Sequence, residues 1–140
     1  MQDRPHASEL LQVVGDFLEE ELLPTLDGPL RYRSLVALNL TRILHREQQQ
    51  GVAFLLRERD RLCTLLDLGA EDLLPGPLSE QVEDLNQQLV MELGDDADPA
   101  FVERAQQTLL AITVDKLAIV RPGYEDYDGS VDALSAEGHA

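Results

Sequence analysis

Apolar residues recur at spacings of three and four along most of this chain, which is the pattern of amphipathic helices. Five segments show it, at about Ala7–Leu23, Pro29–Gln50, Val52–Leu68, Ser79–Leu93 and Pro99–Ile119. No segment alternates strictly between apolar and polar positions, as a half-buried strand would. The pattern predicts an all-α fold, a single-domain bundle of about five helices over residues 3–122, followed by a disordered acidic C-terminal tail over residues 123–140.

The second segment, Pro29–Gln50, is predicted to be the central helix. Asp27 and Pro29 are typical of a helix start, and Gly51 is the residue type that best ends one. Most apolar side chains form one broad arc, and Leu35 and Leu38 fall on the other side. The arc consists of Tyr32, Val36, Ala37, Leu40, Ile43 and Leu44. A helix that is apolar nearly all round is expected to be packed on several sides.

The other four helices each present a narrower face to the predicted core. The first has Leu10, Leu11, Val14, Phe17, Leu18 and Leu22, the third Leu55, Leu62 and Leu66, and the fourth Val82, Leu85 and Leu89. In the fifth, the face comprises Phe101, Val102, Ala105, Leu109, Ile112 and Ile119. Leu110, Val114 and Leu117 add a second face, so we expect the C-terminal half of this helix to be enclosed.

Composition narrows the class of protein. Hydrophobic residues make up 44% of the 140 residues, aromatic residues only 4%, and tryptophan is absent, which favours a helical bundle. A net charge of −16 argues against non-specific nucleic-acid binding. The single cysteine, Cys63, precludes an intramolecular disulfide and lies among leucines, as a small buried side chain would. No apolar run has the length of a membrane span, so we expect a cytoplasmic protein that binds no membrane.

Charge is distributed unevenly along the chain. Residues 31–61 contain seven arginines and three acids, a local balance of +4, so the rest of the chain carries −20. On the predicted central helix, five residues at spacings of three and four form what we call the α2 stripe: Tyr32, Leu35, Asn39, Arg42 and Arg46. Guanidinium groups bind carboxylates and phosphates bidentately, so the stripe could hold an anionic ligand or an acidic partner. The alternative is that these arginines pair with the chain's own surplus of carboxylates.

Several polar residues fall on core-facing positions. Asn39 is expected to cap a backbone group inside the core, with a ligand contact as the alternative. Glu21, Arg33, Glu47 and Lys116 are predicted to form a structural polar core, because buried charges must be paired. Arg33 with Glu21 is the expected pair. Lys116 could instead extend past the helix surface to solvent.

No catalytic constellation is present in the sequence. The three histidines are far apart, and none belongs to a motif with metal-ligand spacing. The acidic run Asp95, Asp96 and Asp98 lacks the ligand spacing of a calcium loop. There is no glycine-rich phosphate loop and no serine elbow. We therefore predict no cofactor, no metal and no catalytic residue, and a non-enzymatic role.

Short motifs in the order found here resemble a small uncharacterised bacterial family. Those motifs are Asp3-Arg4-Pro5, Glu9-Leu10-Leu11, Phe17-Leu18, Leu22-Leu23-Pro24, Leu26-Asp27-Gly28, Val36-Ala37 with Asn39, Arg46-Glu47, Asp115-Lys116-Leu117-Ala118-Ile119, Pro122 and Tyr124. The chain departs from the family at Tyr32-Arg33, where the family has an aromatic-His pair. It also departs at Leu35, where the family has arginine, and at Val120-Arg121, where it has Asp-Asn.

The resemblance implies a helical protein encoded beside an aminoglycoside-phosphotransferase-like kinase and an acyl-CoA dehydrogenase. It implies a non-catalytic accessory subunit of that kinase, acting in hydroxyacyl-CoA or fatty-acid catabolism. Tyr32, Asn39, Arg42 and Arg46 are then the expected partner-binding residues. Two alternatives stay open. The chain could be a binding protein or enzyme for an acyl-CoA or another anionic ligand, or a structural bundle that associates with itself as a homo-oligomer.

Overall fold

A computed structural model describes residues 4–123, and all regular structure in that range is helical. Four α-helices make up most of it: α1 (Ala7–Asp16), α2 (Gly28–Leu66), α3 (Leu78–Glu92) and α4 (Pro99–Val120). A π-helical segment (Phe17–Leu22) and a 3-10 turn (Leu23–Thr25) follow α1, and a second 3-10 turn (Ala70–Asp72) lies between α2 and α3. The all-α prediction is confirmed, with four α-helices where about five were expected.

The α1 helix begins where the sequence indicates. The backbone N–H of His6 donates to Glu9 Oε2 at 2.8 Å, which is the hydrogen bond that the acidic residue of a capping box accepts. After Asp16 the helix continues in π form to Leu22. A π segment accommodates one extra residue, so positions after it are rotated by about 100° from those of a regular helix. This rotation places Leu23 in the contact with α2, where it is 4% exposed.

The predicted helix end at Gly51 is wrong. α2 is one continuous helix of 39 residues, about 58 Å long. Gly51 lies buried inside it, and the helix ends instead at Asp67, which adopts the left-handed conformation with φ of 57°. The physical reason is tertiary packing. α4 packs antiparallel to α2 and crosses the level of Gly51, because Arg61 Nη1 donates to Ala111 O while Arg46 Nε donates to Ile119 O. A mid-helix glycine costs only about 1 kcal/mol relative to alanine.

Helix α2 contacts each of the other three α-helices, but the segment predicted to be central, Pro29–Gln50, is not packed on several sides: Tyr32, Val36, Leu40 and Leu44 of its apolar arc are 42–69% exposed. Helices α3 and α4 pack on its C-terminal half and enclose the main core, in which Leu62 and Leu85 are fully buried. The remaining buried members of this core are Val82, Leu89, Ala105 and Ile112. All six belong to the faces predicted from the sequence. Ile119, also predicted to face inward, is 7% exposed.

The first part of α2, before the level of Arg46 where α4 ends, is covered only by α1 and the turns that follow it, within the part of the chain that the structure describes. The two helices are antiparallel: an alanine Cβ at Gly15 would contact Leu38 and Thr41, and His45 Nδ1 lies 2.9 Å from Ser8 O. We call α1, the π segment after it and residues 28–50 of α2 the hairpin. It is two helices thick and cannot enclose apolar side chains on both sides.

Several expected core positions are consequently exposed. In α1 and at the first residue of the π segment, Leu10, Val14 and Phe17 are each about half exposed, at 52%, 48% and 48%. The predicted enclosure of α4 is also wrong, because Leu110 is 66% and Val114 39% exposed. Helices α3 and α4 both pack on α2, which leaves the outer side of α4 free of neighbours within residues 4–123. The tail predicted to be disordered lies, apart from Gly123, outside the described residues.

Candidate binding surfaces

The α2 stripe lies along one side of the first half of α2. Tyr32 is 69% exposed, and Asn39 is also exposed. The expectation that Asn39 caps a backbone group inside the core is therefore wrong. At this level α1 packs on the side of α2 that carries Leu38, and Asn39 is one residue, or about 100°, further round the helix.

The two arginines of the stripe already contact groups of this chain. The guanidinium of Arg42 forms an ion pair with Glu19 across the hairpin. Arg46 Nε donates to the carbonyl oxygen of Ile119 at 2.5 Å and so satisfies one of the unpaired carbonyls at the end of α4. Both side chains connect α2 to its neighbours. A ligand or partner that used them would have to share or displace these contacts.

The same holds for most arginines between residues 31 and 61. Four of the seven pair with carboxylates, as the alternative interpretation expected, and two donate to backbone carbonyls. The ion pairs are Arg42–Glu19, Arg57–Asp115, Arg59–Asp60 and Arg61–Asp115, and the carbonyl contacts are Arg31–Leu23 and Arg46–Ile119. Arg33 is exposed. The local positive charge is thus largely used to hold α1 and α4 against α2.

The predicted polar core is wrong for three of its four members. Glu21, Arg33 and Glu47 are exposed, and no ion pair joins Glu21 to Arg33 among the described side chains. Glu21 lies in the π segment, and the α1 residues of the same predicted arc, Leu10 and Val14, are themselves about half exposed on this two-helix layer. For Arg33 the cause is the absence of a third helix over this part of α2 within residues 4–123, whereas Glu47 lies on the rim of a pocket beside the end of α4.

Lys116 does pair, with a partner that the sequence analysis did not identify. Its Nζ donates to Oε1 of Glu58 at 2.8 Å, and Nδ2 of Asn86 contacts the same oxygen at 3.4 Å. Glu58 is 4% exposed, whereas the Lys116 side chain is 61% exposed. The three residues come from α2, α4 and α3, so the buried carboxylate connects all three helices. A signal was available, because Glu58 lies three residues after Leu55 and four before Leu62, within their apolar face.

A cleft of about 360 Å³ lies between α2 and α4, and Arg57, Arg61 and Thr108 contribute to its lining. Next to it, Asp115 accepts from Arg57 Nε at 3.1 Å and from Arg61 Nη1 at 2.5 Å. Partial burial raises the pKa of Asp115, but the hydrogen bonds and charges of Arg57 and Arg61 outweigh that effect, and the pKa lies below its usual value. An anionic ligand here would compete with a carboxylate already bound to both guanidiniums.

One side of the hairpin is apolar and exposed. Helical geometry and the antiparallel register place residues of α1 and α2 together on it, opposite the side where Arg42 meets Glu19. We call this set the hairpin face: Leu10, Val14, Phe17, Leu40 and Leu44, each between 48% and 54% exposed. Contiguous apolar surface of this kind is characteristic of protein–protein contacts.

Other classes of site find no support within residues 4–123. No group of three or more histidine, cysteine or acidic side chains is arranged to hold a metal ion there. In the same range, no helix is both long and apolar enough to cross a membrane. Cys63 is partly buried, and burial raises the pKa of its thiol despite the nearby Arg59 charge. Such a thiol is a poor nucleophile.

The fold and these surfaces define an all-helical protein with an exposed apolar face and without a recognisable catalytic centre in the described residues. Residues 24–124, more than half of the chain, match the family described as "Domain of unknown function (DUF6285)", and the chain belongs to that family. The match includes α2, α3 and α4 and begins after α1. No curated protein and no solved structure matches the chain.

Proposed function

We propose that this protein is a non-catalytic accessory subunit that binds an aminoglycoside-phosphotransferase-like kinase, and that the kinase contacts the hairpin face. The resemblance of the sequence motifs implies the identity of the partner. The observation that carries the proposal is the hairpin face itself, five apolar side chains about half exposed on a layer only two helices thick.

The geometry favours this surface over the α2 stripe as the main contact. Apolar anchors desolvated at the centre of an interface contribute most of the binding free energy, whereas exposed charge pairs contribute little. Arg42 and Arg46 have contacts within the chain, so they are less available than the sequence alone suggested. Tyr32 and Asn39 remain exposed on the side of α2 that carries Arg42, so we assign them to a secondary contact with the kinase beyond the hairpin face.

The role proposed for the subunit is to bind and position the kinase in hydroxyacyl-CoA or fatty-acid catabolism, while the kinase supplies the phosphoryl-transfer chemistry. The small-molecule alternative has a weaker basis in the geometry. The cleft beside Asp115 has two guanidiniums nearby, but their hydrogen bonds to Asp115 already compensate their charge.

The test is affinity capture of the tagged protein from its own cells, with the eluate identified by mass spectrometry. Three forms are compared: the wild type, Leu40→Asp and the matched control Leu110→Asp. Both leucines are exposed on helices, at 54% and 66%, but Leu110 lies on α4, away from the hairpin. We expect a kinase of this fold at near-stoichiometric yield with the wild type and the control, and its loss with Leu40→Asp.

The affinity of each form for the purified kinase then measures how much the substitution weakens binding. A charged group buried in the centre of the interface should weaken the affinity about 30-fold, the equivalent of 2 kcal/mol. Failure to recover the kinase, or equal binding by Leu40→Asp and Leu110→Asp, would refute the proposal. Sedimentation of the isolated protein tests the remaining alternative, a bundle that associates with itself. If the wild type is a dimer and Leu40→Asp is a monomer, the hairpin face is a self-association surface.

A further inference from the structure

Helices α2 and α3 end beside the start of α4, and an open groove lies between these three helix ends. It consists of two adjoining cavities, of about 280 Å³ and about 530 Å³, which share Met91, Glu92 and Phe101. Leu66 and Leu68 line the smaller cavity and, with Phe101, also pack against the main core. The larger cavity is lined by the loop that precedes α4. We call the two cavities together the end groove.

Every charged side chain of the described lining is acidic. These residues are Glu92, Asp95, Asp96 and Asp98, and all four are exposed. The surrounding sequence has the same bias, because residues 62–103 contain eleven acids and no lysine or arginine. The guanidinium of Arg104 lies 5.8 Å from the Phe101 ring but does not line the groove. The end groove is therefore an apolar cavity with a negatively charged rim.

Three of these carboxylates are unpaired among the described residues. Glu92, Asp95 and Asp96 form no side-chain hydrogen bond or ion pair within residues 4–123. Their positions are also unfavourable, because α2 and α3 both end here and a helix C-terminus carries partial negative charge. Asp98 differs, since it precedes α4, where the helix dipole favours an acid. The other three carboxylates thus destabilise the isolated protein and are available to a cation from outside.

The arrangement selects the kind of cation that fits. No group of three or more histidine, cysteine or acidic side chains is placed to hold a metal ion in the described part of the chain, so these carboxylates do not converge on one point. They border an apolar cavity, which favours separated positive charges with an apolar group between them. A peptide segment in which arginine or lysine flanks a large apolar side chain has this chemistry. Six of the seven arginines of residues 31–61 already contact groups of this chain, so a second copy does not offer such a segment.

We propose that the end groove binds a basic segment of a partner protein. A large apolar side chain of that segment enters the cavity between Leu66, Leu68 and Phe101, and lysines or arginines beside it pair with the carboxylates of the rim. Met91 is 77% exposed, and its flexible side chain packs against the apolar anchor. The end groove is about 40 Å along α2 from Leu40, so it is separate from the hairpin face. Loss of either contact leaves the other intact.

Fluorescence anisotropy of labelled synthetic peptides tests this chemistry with the full-length protein. The probe is a short amphipathic helix of leucine and lysine, and two further peptides have serine in place of leucine or glutamate in place of lysine. We expect saturable binding of the leucine–lysine peptide, at least tenfold tighter than either of the others. Met91→Ser should weaken it about tenfold, whereas Val90→Ser, which is 72% exposed and outside the lining, should leave it unchanged.

Two matched double variants test the contribution of charge in the same assay. Asp95→Asn with Asp96→Asn should weaken binding of the leucine–lysine peptide about fivefold, because two charge pairs at the rim are lost. Glu20→Gln with Glu21→Gln makes the same change in net charge at exposed positions of the hairpin and should have almost no effect. Equal weakening by the two double variants would show attraction to the overall negative charge only and would overturn the proposal. Equal binding by Met91→Ser and Val90→Ser would overturn it as well.

Photo-crosslinking in the cells that produce the protein identifies the natural occupant. Benzoylphenylalanine replaces Met91 or, as the control, Val90, and the crosslinked segments are sequenced. We expect the Met91 position to capture a segment of another protein with several lysines or arginines around a large apolar residue. Its yield should fall when Asp95→Asn and Asp96→Asn are added. A crosslink to a second copy of this chain, a crosslink to an acidic or neutral segment, or a yield no higher than that of the Val90 control would contradict the assignment.

Discussion

Replacing Gly51 with alanine tests the continuity of α2, because the two descriptions of this position predict opposite signs. Inside a regular helix, alanine is more favourable than glycine by about 1 kcal/mol. At a helix end in the left-handed conformation, alanine is less favourable by about 1–2 kcal/mol. The structure places Gly51 within a continuous helix, so we expect stabilisation.

The size of the stabilisation by Gly51→Ala depends on Glu47. An added Cβ at Gly51 would lie 2.6 Å from Oε1 and 3.1 Å from Cδ of Glu47, one turn earlier on α2. That side chain is exposed and can change rotamer at a cost of roughly 0.5 kcal/mol. The net gain is therefore about 0.5 kcal/mol, and in a Glu47→Ala background it should rise to about 1 kcal/mol. For a chain of this size, 1 kcal/mol corresponds to about 4 °C in the melting temperature.

The assay is urea denaturation followed by circular dichroism in the far ultraviolet, with wild-type and Glu47→Ala backgrounds in parallel. Two glycines provide matched controls. Gly15→Ala should stabilise, because its Cβ would contact Leu38 and Thr41 at an ordinary 3.9 Å. Gly28→Ala should destabilise, because φ at Gly28 is 58°. Destabilisation by Gly51→Ala in the Glu47→Ala background would refute the continuous helix.

Three further predictions concern charged and titratable groups. Lys116→Met should destabilise the protein by roughly 1–3 kcal/mol, because it leaves the buried Glu58 carboxylate without its cation. Glu58→Gln should cost less, and urea denaturation that gives the reverse order would contradict this prediction. Because the pKa of Asp115 is lowered, its contribution to stability is present above about pH 4 and is lost as pH falls through the folded-state pKa. The stability difference between the wild type and Asp115→Asn should thus shrink below about pH 4. A difference that does not change with pH would argue against a lowered pKa for Asp115. Burial raises the pKa of the Cys63 thiol. At pH 8 its reaction with a chromogenic disulfide should therefore be several-fold slower in the native protein than in the urea-unfolded protein, and equal rates would count against burial of the thiol.

Candidate contact residues were harder to predict than helices. The spacing of Tyr32, Asn39, Arg42 and Arg46 correctly placed them along one side of α2. It could not show that the two arginines contact Glu19 and the Ile119 carbonyl, because those partners lie 23 and 73 residues away in the chain. The hairpin face could not be predicted from the sequence for a related reason. Its leucines have the same periodicity as core leucines, and periodicity does not count the helices that cover them.

By itself, the sequence determined the helical class, the main core positions and the ends of helices where local chemistry decides them. Periodicity of 3.6 selected Leu62, Leu85 and Ile112 as buried, and Asp98-Pro99 set the start of α4, because these signals act within one or two turns.

Only the tertiary structure decided whether a local signal prevailed. Gly51 continues a helix because α4 packs across it, and Leu40 is exposed because only α1 covers that part of α2 within the described residues. Glu58 is buried because α3 and α4 supply its partners. Each outcome depends on which distant segment is present at that point, and contacts between distant segments are formed by packing of the whole chain rather than by local preference.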